Sequence, residues 1–243
     1  MRDTSQITNY DAIVGTGEYQ VETKLVVNGV TYSQNDLKSI STSSALFSDV
    51  PSVGNCYSAE IDVVMIVPNV IVPTMAEMKP YVRLVGVINN VVTTSDWIPH
   101  GVFYIDTREQ SDENSYHPLL TIHGYDAMLK AESIYPEDDP SNYPMLDTDV
   151  VYLIAETMGV EVDDRTYDIM TSGYQVNLPA TYTMREVLGY IGSMYAGNWC
   201  MSAEGKLRLV GLTDIGIETN YLIEENGIPI VFGTDDNATH IIV

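Results

Sequence analysis

The sequence predicts an α+β protein that is mostly β. Residues 18–124 are read as an antiparallel β-barrel, residues 125–243 as a second α+β domain carrying two to three helices, and residues 1–17 as an N-terminal arm. Three observations predict this. From Tyr19 to His123, apolar residues alternate with polar ones between turn residues, with no helical stretch among them, the pattern of antiparallel pairing. After Gly124 the apolar period becomes 3.6, the period of a helix. The 243 residues, 45% of them hydrophobic, make one large or two small globular domains with a substantial core.

Taken in order, residues 1–17 are polar with scattered Gly, which fits a flexible arm or a short helix. Val21, Thr23, Leu25 and Val27 then alternate, and Asn28-Gly29 supplies the positive-φ pair of a two-residue hairpin that returns through Val30-Thr31-Tyr32. Leu37 to Phe47, rich in Ser and Thr, suits an exposed edge strand. Cys56 to Val67 reads as the strongest strand, with Tyr57, Ala59, Ile61, Val63, Met65 and Val67 on one face. Pro80 to Ile88 is another strand and Asn89-Asn90 a turn.

Val102 to Thr107 alternates with both faces largely apolar, which predicts a strand inside a sandwich or barrel. An acidic loop from Gln110 to His117 leads to its hairpin partner at Leu119 to His123, and Gly124 reads as a hinge into a helix near 125–133. A second helix is expected near 148–158, capped by Asp147 or Thr148 and closed by Gly159. A third is expected near 183–196, opened by the capping box Thr183-Met184-Arg185-Glu186 and ended by Gly197. The closing strands lie in 198–243: a hairpin from Asn198 to Leu212, then Tyr221 to Glu224, Pro229 to Phe232 and His240 to Val243.

The charge balance bears on partners. With 34 acidic against 11 basic side chains, a net charge of −23, a phosphate-neutralising groove and sequence-specific nucleic-acid binding are not expected. An acidic wall would instead let DNA slide past. The N-terminus has no apolar signal core, and the longest apolar run, Ile61 to Pro73, is broken and too short to span a bilayer, so membrane insertion by the chain itself is not expected.

Catalytic, cofactor and metal residues are all read as none. The histidines His100, His117, His123 and His240 show no metal-ligand spacing. Cys56 and Cys200 sit in apolar strands without a basic partner in sequence and read as buried thiols. No nucleophile elbow or phosphate-binding glycine loop occurs. The acidic runs Glu137-Asp138-Asp139, Asp163-Asp164 and Asp235-Asp236-Asn237 read as exposed loops. Seventeen tyrosines against three phenylalanines fit either a protein interface or half-buried strands.

Six segments carry a resemblance: Asn28 to Tyr32, Pro80 to Leu84, Trp97 to Glu109, Leu120 to Glu132, Tyr182 to Gly197 and Gly205 to Val210. Together, and above all in Gly101-Val102-Phe103-Tyr104-Ile105-Asp106-Thr107-Arg108-Glu109 and Leu120-Thr121-Ile122-His123-Gly124-Tyr125-Asp126-Ala127-Met128-Leu129-Lys130-Ala131-Glu132, they resemble phage and prophage tail structural proteins of the baseplate hub kind, the kin of type VI secretion spike-base proteins and of the N-terminal part of tail-associated lysins. The resemblance implies a tail-tube-like barrel and a homotrimer joining tail tube to tip around a channel. It also implies as partners a tail tube or distal tail protein, the tape measure protein, and tip, spike or receptor-binding proteins. The expected location is the virion's tail baseplate or tip, assembled in the host bacterial cytoplasm. No catalytic residues come with the resemblance, since lysins of this type carry their enzyme in a separate downstream domain. The competing readings are a cell-wall hydrolase and a receptor- or glycan-binding tail module.

Overall fold

A nine-stranded antiparallel sheet dominates the computed structural model, which describes residues 7–46, 52–66, 72–111, 118–137 and 139–211 together with the backbone of 231–232 and 239–240. A short helix, α1 (Tyr10–Val14), precedes it. Strands β1 (Tyr19–Val27) and β2 (Val30–Ser33) form the expected hairpin, Asn28 and Gly29 both having positive φ (47° and 83°). Then come β3 (Leu37–Ser43), β4 (Glu60–Ile66), β5 (Glu77–Ile88), β6 (Val91–Thr94), β7 (Ile98–Pro99), β8 (Phe103–Gln110) and β9 (Leu119–Asp126). The hydrogen-bonded order is β2-β1-β5-β8-β9-β4-β3, with β6 and β7 also paired to β5.

The predicted closed barrel is not observed: the described sheet is open, and β2 and β3 at its two ends do not pair. Those ends are nevertheless consecutive in the chain, so the sheet coils until they meet at residues 34–36. There the Asp36 carboxylate accepts from the Ser33 amide and hydroxyl at 2.8 and 2.7 Å, and its carbonyl accepts from the Ile66 amide. This turn sends β3 along β4 instead of back along β2, which leaves the ladder unclosed. The coiled inner face is apolar, with Leu25, Val27, Ile61, Val63, Met65, Met78, Phe103, Ile105 and Ile122 buried on it.

Alternation explains that core, because residues of one parity share a face. It also corrects two expectations. Residues 56–59 leave the long predicted strand, since Cys56 bridges to Trp199 and the Tyr57 amide donates to the Trp199 carbonyl. The outer face of β8 is covered only at Tyr104, which packs on the second core; from Asp106 onward the strand is exposed.

The second core begins where β9 ends. Gly124 is not a hinge: it lies within β9, and a Cβ there would stand 2.5 Å from the Tyr104 carbonyl oxygen. The turn into helix is made by Asp126, whose carboxylate accepts from the Met128 amide at 3.0 Å, and the helix is a 3-10 helix over Ala127–Glu132. A further 3-10 turn, Pro140–Asn142, and strand β10 (Met145–Leu146) precede α2 (Asp147–Met158), closed by Gly159 in the left-handed conformation as expected. Neither predicted cap residue caps it: the N-cap is Leu146, and Asp147 is buried in the first turn.

Helix α3 (Asp164–Ile169) was not foreseen. Asp163, read as part of an exposed loop, is buried and caps it through the Arg165 amide. After β11 (Gln175–Val176), paired to β10, comes α4 (Met184–Met194), opened by the predicted capping box. It ends at Met194 instead of Gly197, which already belongs to β12 (Gly197–Met201). β12 pairs with β13 (Leu207–Gly211) as the predicted hairpin. The backbone of β14 (Val231–Phe232) pairs with that of β15 (Thr239–His240), while the strand expected at 221–224 lies outside the described residues.

Trp199 centres the second core, fully buried with its indole N–H donating to the Leu188 carbonyl at 2.7 Å. Val150, Ile154, Leu188, Ile191 and Leu209 are buried in the same cluster. A segment of the first half completes it: the Trp199 amide donates to Asn55, and the buried Asn198 donates to the carbonyls of Leu46 and Ser52.

Candidate interaction surfaces

The residues with chemistry in them do not converge. Among the described residues no group of three or more His, Cys, Asp or Glu could hold a metal ion. Burial pushes the Cys56 thiol up to about 12 and the Cys200 thiol up to about 11, so neither is a thiolate nucleophile near neutrality. His123 faces outward, 2.8 Å from the Asp62 carboxylate and edge-on to Tyr125, while His100 follows β7, its amide donating to the Pro80 carbonyl. His117 and the 235–237 run lie outside the described residues.

Several acidic residues prove structural. The Asp163 carboxylate receives Arg165 at 2.8 and 2.6 Å, and this hydrogen-bonded pair holds its pKa below the usual carboxylate range. Asp126 accepts from the Ser58 hydroxyl and the amides of Ala59 and Met128, yet burial outweighs these bonds and raises its pKa. Asp147 accepts from the Tyr195 hydroxyl at 2.5 Å and from the amides of Thr148 and Tyr174.

What remains is surface, in three distinct patches. The first is the β5–β6 hairpin, turned by Asn89 and Asn90 at φ 52° and 63°. Val92 is 70% exposed, Val91 63% and Val87 55%, beside exposed Tyr19 and Val21 at the start of β1. β2 covers β1 only from Lys24 onward, so, among the described residues, 19–23 show an edge without a strand partner next to this apolar surface. Such an edge is a ready template for another chain.

The second patch lies on the outer face of β1 and β5. Antiparallel register sets Lys24 opposite Tyr81 and Glu22 opposite Arg83, and Trp97 folds over both pairs. The Lys24 ammonium is 4.3 Å from the indole centroid and 4.9 Å from that of Tyr81, and the Arg83 guanidinium is 4.5 Å from the same indole. Arg83 also binds Glu22 at 2.6 Å. Burial, and then Arg83, lower the Lys24 pKa.

The third patch is tyrosine and carboxylate on the helical unit. Tyr152 and Tyr167 stand exposed at a groove of about 350 Å³ between α2 and α3, with Glu156, Glu161 and Asp164. Tyr182 and Tyr190 form an exposed edge-on pair at 5.4 Å. The tyrosine excess therefore divides: Tyr32 and Tyr135 are core, while these four are surface. Of the three patches the sequence pointed only to the tyrosines; β1–β5 pairing brings Lys24 and Arg83 together from 59 positions apart (83 minus 24), and nothing local announces it.

No family model and no curated protein matches the chain. Among solved structures it is similar to the 43 kDa tail protein of prophage MuSo2 from Shewanella oneidensis, with 13% identity and a TM-score of 0.52 over 79% of this chain and 56% of that one. It is also similar to the tail protein from Neisseria meningitidis MC58, with 11% identity and a TM-score of 0.50 over 78% of this chain and 50% of that one. At such identities the likeness is one of fold, and the chain spans about half the length of each neighbour.

Proposed function

We propose that the chain is a structural component of a phage or phage-derived tail, a baseplate hub or tail-tip protein acting by shape and not by catalysis. The observation that carries this is the fold shared with the two tail proteins over more than three quarters of the chain. It agrees with the resemblance of the motifs around Gly101 to Glu109 and Leu120 to Glu132.

In this reading three copies form a ring at the end of the tail tube, residues 18–124 supply its barrel-like wall and residues 125–243 pack beside it. The open β1 edge and apolar β5–β6 hairpin support a role in assembly, because a neighbouring subunit pairing there would cover surface that a lone chain leaves bare. The tail tube or distal tail protein above, tip or spike proteins below, and DNA or tape measure protein in the channel are the expected partners. The charge of −23 would keep the channel wall from holding DNA.

Cryo-electron microscopy of assembled tails tests the proposal. Three copies around the central axis at the distal end of the tube are expected; an off-axis position, or turnover of peptidoglycan by the purified chain in a zymogram, overturns it.

A further inference from the structure

Lys24 differs from five of the chain's eleven cations. Lys79, Arg83, Arg165, Arg185 and Lys206 each hold a carboxylate within 2.7 Å. Lys24, among the described residues, has no carboxylate partner; it rests on the rings of Tyr81 and Trp97 with Arg83 against the same indole. Two cations share one aromatic platform while a single carboxylate, Glu22, answers them. The lowered pKa of Lys24 has the same origin, burial beside a like charge. An incoming carboxylate would remove that imbalance and gain the strength of a charge-assisted hydrogen bond.

The chain itself supplies carboxylates in excess, 34 against 11 cations. Two copies, each at −23, repel at long range, so contact between copies requires cations of one to meet carboxylates of the other. The α2–α3 groove offers such a counterpart: among the described residues its one lining cation, Lys206, is held by Glu161 at 2.6 Å, which leaves Glu156 and Asp164 in excess, flanked by exposed Tyr152 and Tyr167, whose rings match the aromatic character of the β1–β5 stripe.

We propose that the Lys24–Arg83–Trp97 stripe of one copy receives the Glu156–Asp164 face of the next. The inference rests on the ring reading above and names the contact that would build it. Cationic stripe cannot pair with cationic stripe; a two-fold pair would make the stripe-to-acid contact twice, whereas the ring reading has it made head-to-tail, once between each copy and the next. Repeating a head-to-tail contact yields a ring where the rotation closes.

Analytical ultracentrifugation of the full chain with charge reversals tests this. Lys24→Glu with Arg83→Glu, and separately Glu156→Lys with Asp164→Lys, are each expected to weaken self-association by about tenfold or more. Mixing the two reversed proteins restores pairing between them, since each then presents the other with opposite charge, while a ring of three keeps one repulsive contact between like variants. Lys24→Gln weakens it less, and circular dichroism checks that every variant is folded. Wild-type self-association that the reversals leave unchanged overturns this contact while the ring reading stands. A wild-type chain that stays monomeric at every concentration reached, alone and with tail extract, overturns both.

Discussion

The two halves of the molecule solve burial differently. The sheet unit has an almost purely apolar core, in which strand alternation sends Leu25, Ile61, Val63, Ile105 and Ile122 inward while polar partners face out. The helical unit buries carboxylates: Asp126, Asp147 and Asp163 are each 5% exposed or less, and each lies at the start of a helix. Strands satisfy their backbone against neighbouring strands, whereas a helix start leaves amides without intrahelical partners. A short helix packed into a core must bring an acceptor with it. The sheet unit is therefore free to commit its outer face to contacts, and the helical unit spends polar groups on holding itself together.

The contrast can be broken, and the largest effect is expected at its centre. Trp199→Ala removes the fully buried indole at the centre of the second core, whose N–H donates to the Leu188 carbonyl, and should cost about 3–5 kcal/mol, read as a lowered urea midpoint. If Ile61→Ala, wholly inside the sheet core, costs more than about 5 kcal/mol while Trp199→Ala costs almost nothing, stability resides in the sheet core and Trp199 does not centre the second one.

Asp147→Ala sharpens the comparison. It strands the Tyr195 hydroxyl and the Thr148 and Tyr174 amides and should cost about 1–3 kcal/mol, with near-ultraviolet circular dichroism changing as Tyr195 is released. Thr183→Ala, which dismantles the α4 capping box, should cost about 1 kcal/mol by thermal or urea unfolding.

The smallest effect is a matter of pH. Arg165 depresses the folded-state pKa of Asp163, so the stability it contributes is present above the unfolded carboxylate pKa and is lost as pH falls through the lower, folded value. Asp126 has the opposite sign: its pKa is raised, so its contribution is full below the unfolded value and fades as pH rises through the folded one. Asp163→Asn should flatten the acid limb of a stability-against-pH curve; an unchanged acid limb would mean that the Arg165 pair contributes nothing there.

Local signals in the sequence were legible where neighbours in the chain are neighbours in space. Asn28-Gly29, Asn89-Asn90, Gly159 and the Thr183–Glu186 box each specify a turn or cap within four residues, and each is found. Alternation and the change of period at the end of β9 marked the sheet and the helices after it. The errors arose where distant residues decide. Asp163 looked solvated because acidic pairs usually are, whereas its amide donates to the Leu207 carbonyl of β13, which draws it inside. Gly124 looked like a hinge because glycine permits one, whereas the approach of the Tyr104 backbone is what requires it.

The amino-acid order alone thus determined an antiparallel sheet followed by helices, an acidic chain and a tyrosine-rich composition, because periodicity, turn chemistry and charge are properties of a few adjacent residues. Tertiary structure alone decided that the sheet coils without closing, that residues 52–57 complete the second core, and that Lys24, Arg83 and Trp97 share one face. Those outcomes depend on which strand pairs with which, and pairing between strands far apart in the chain is settled by the packing of the whole core.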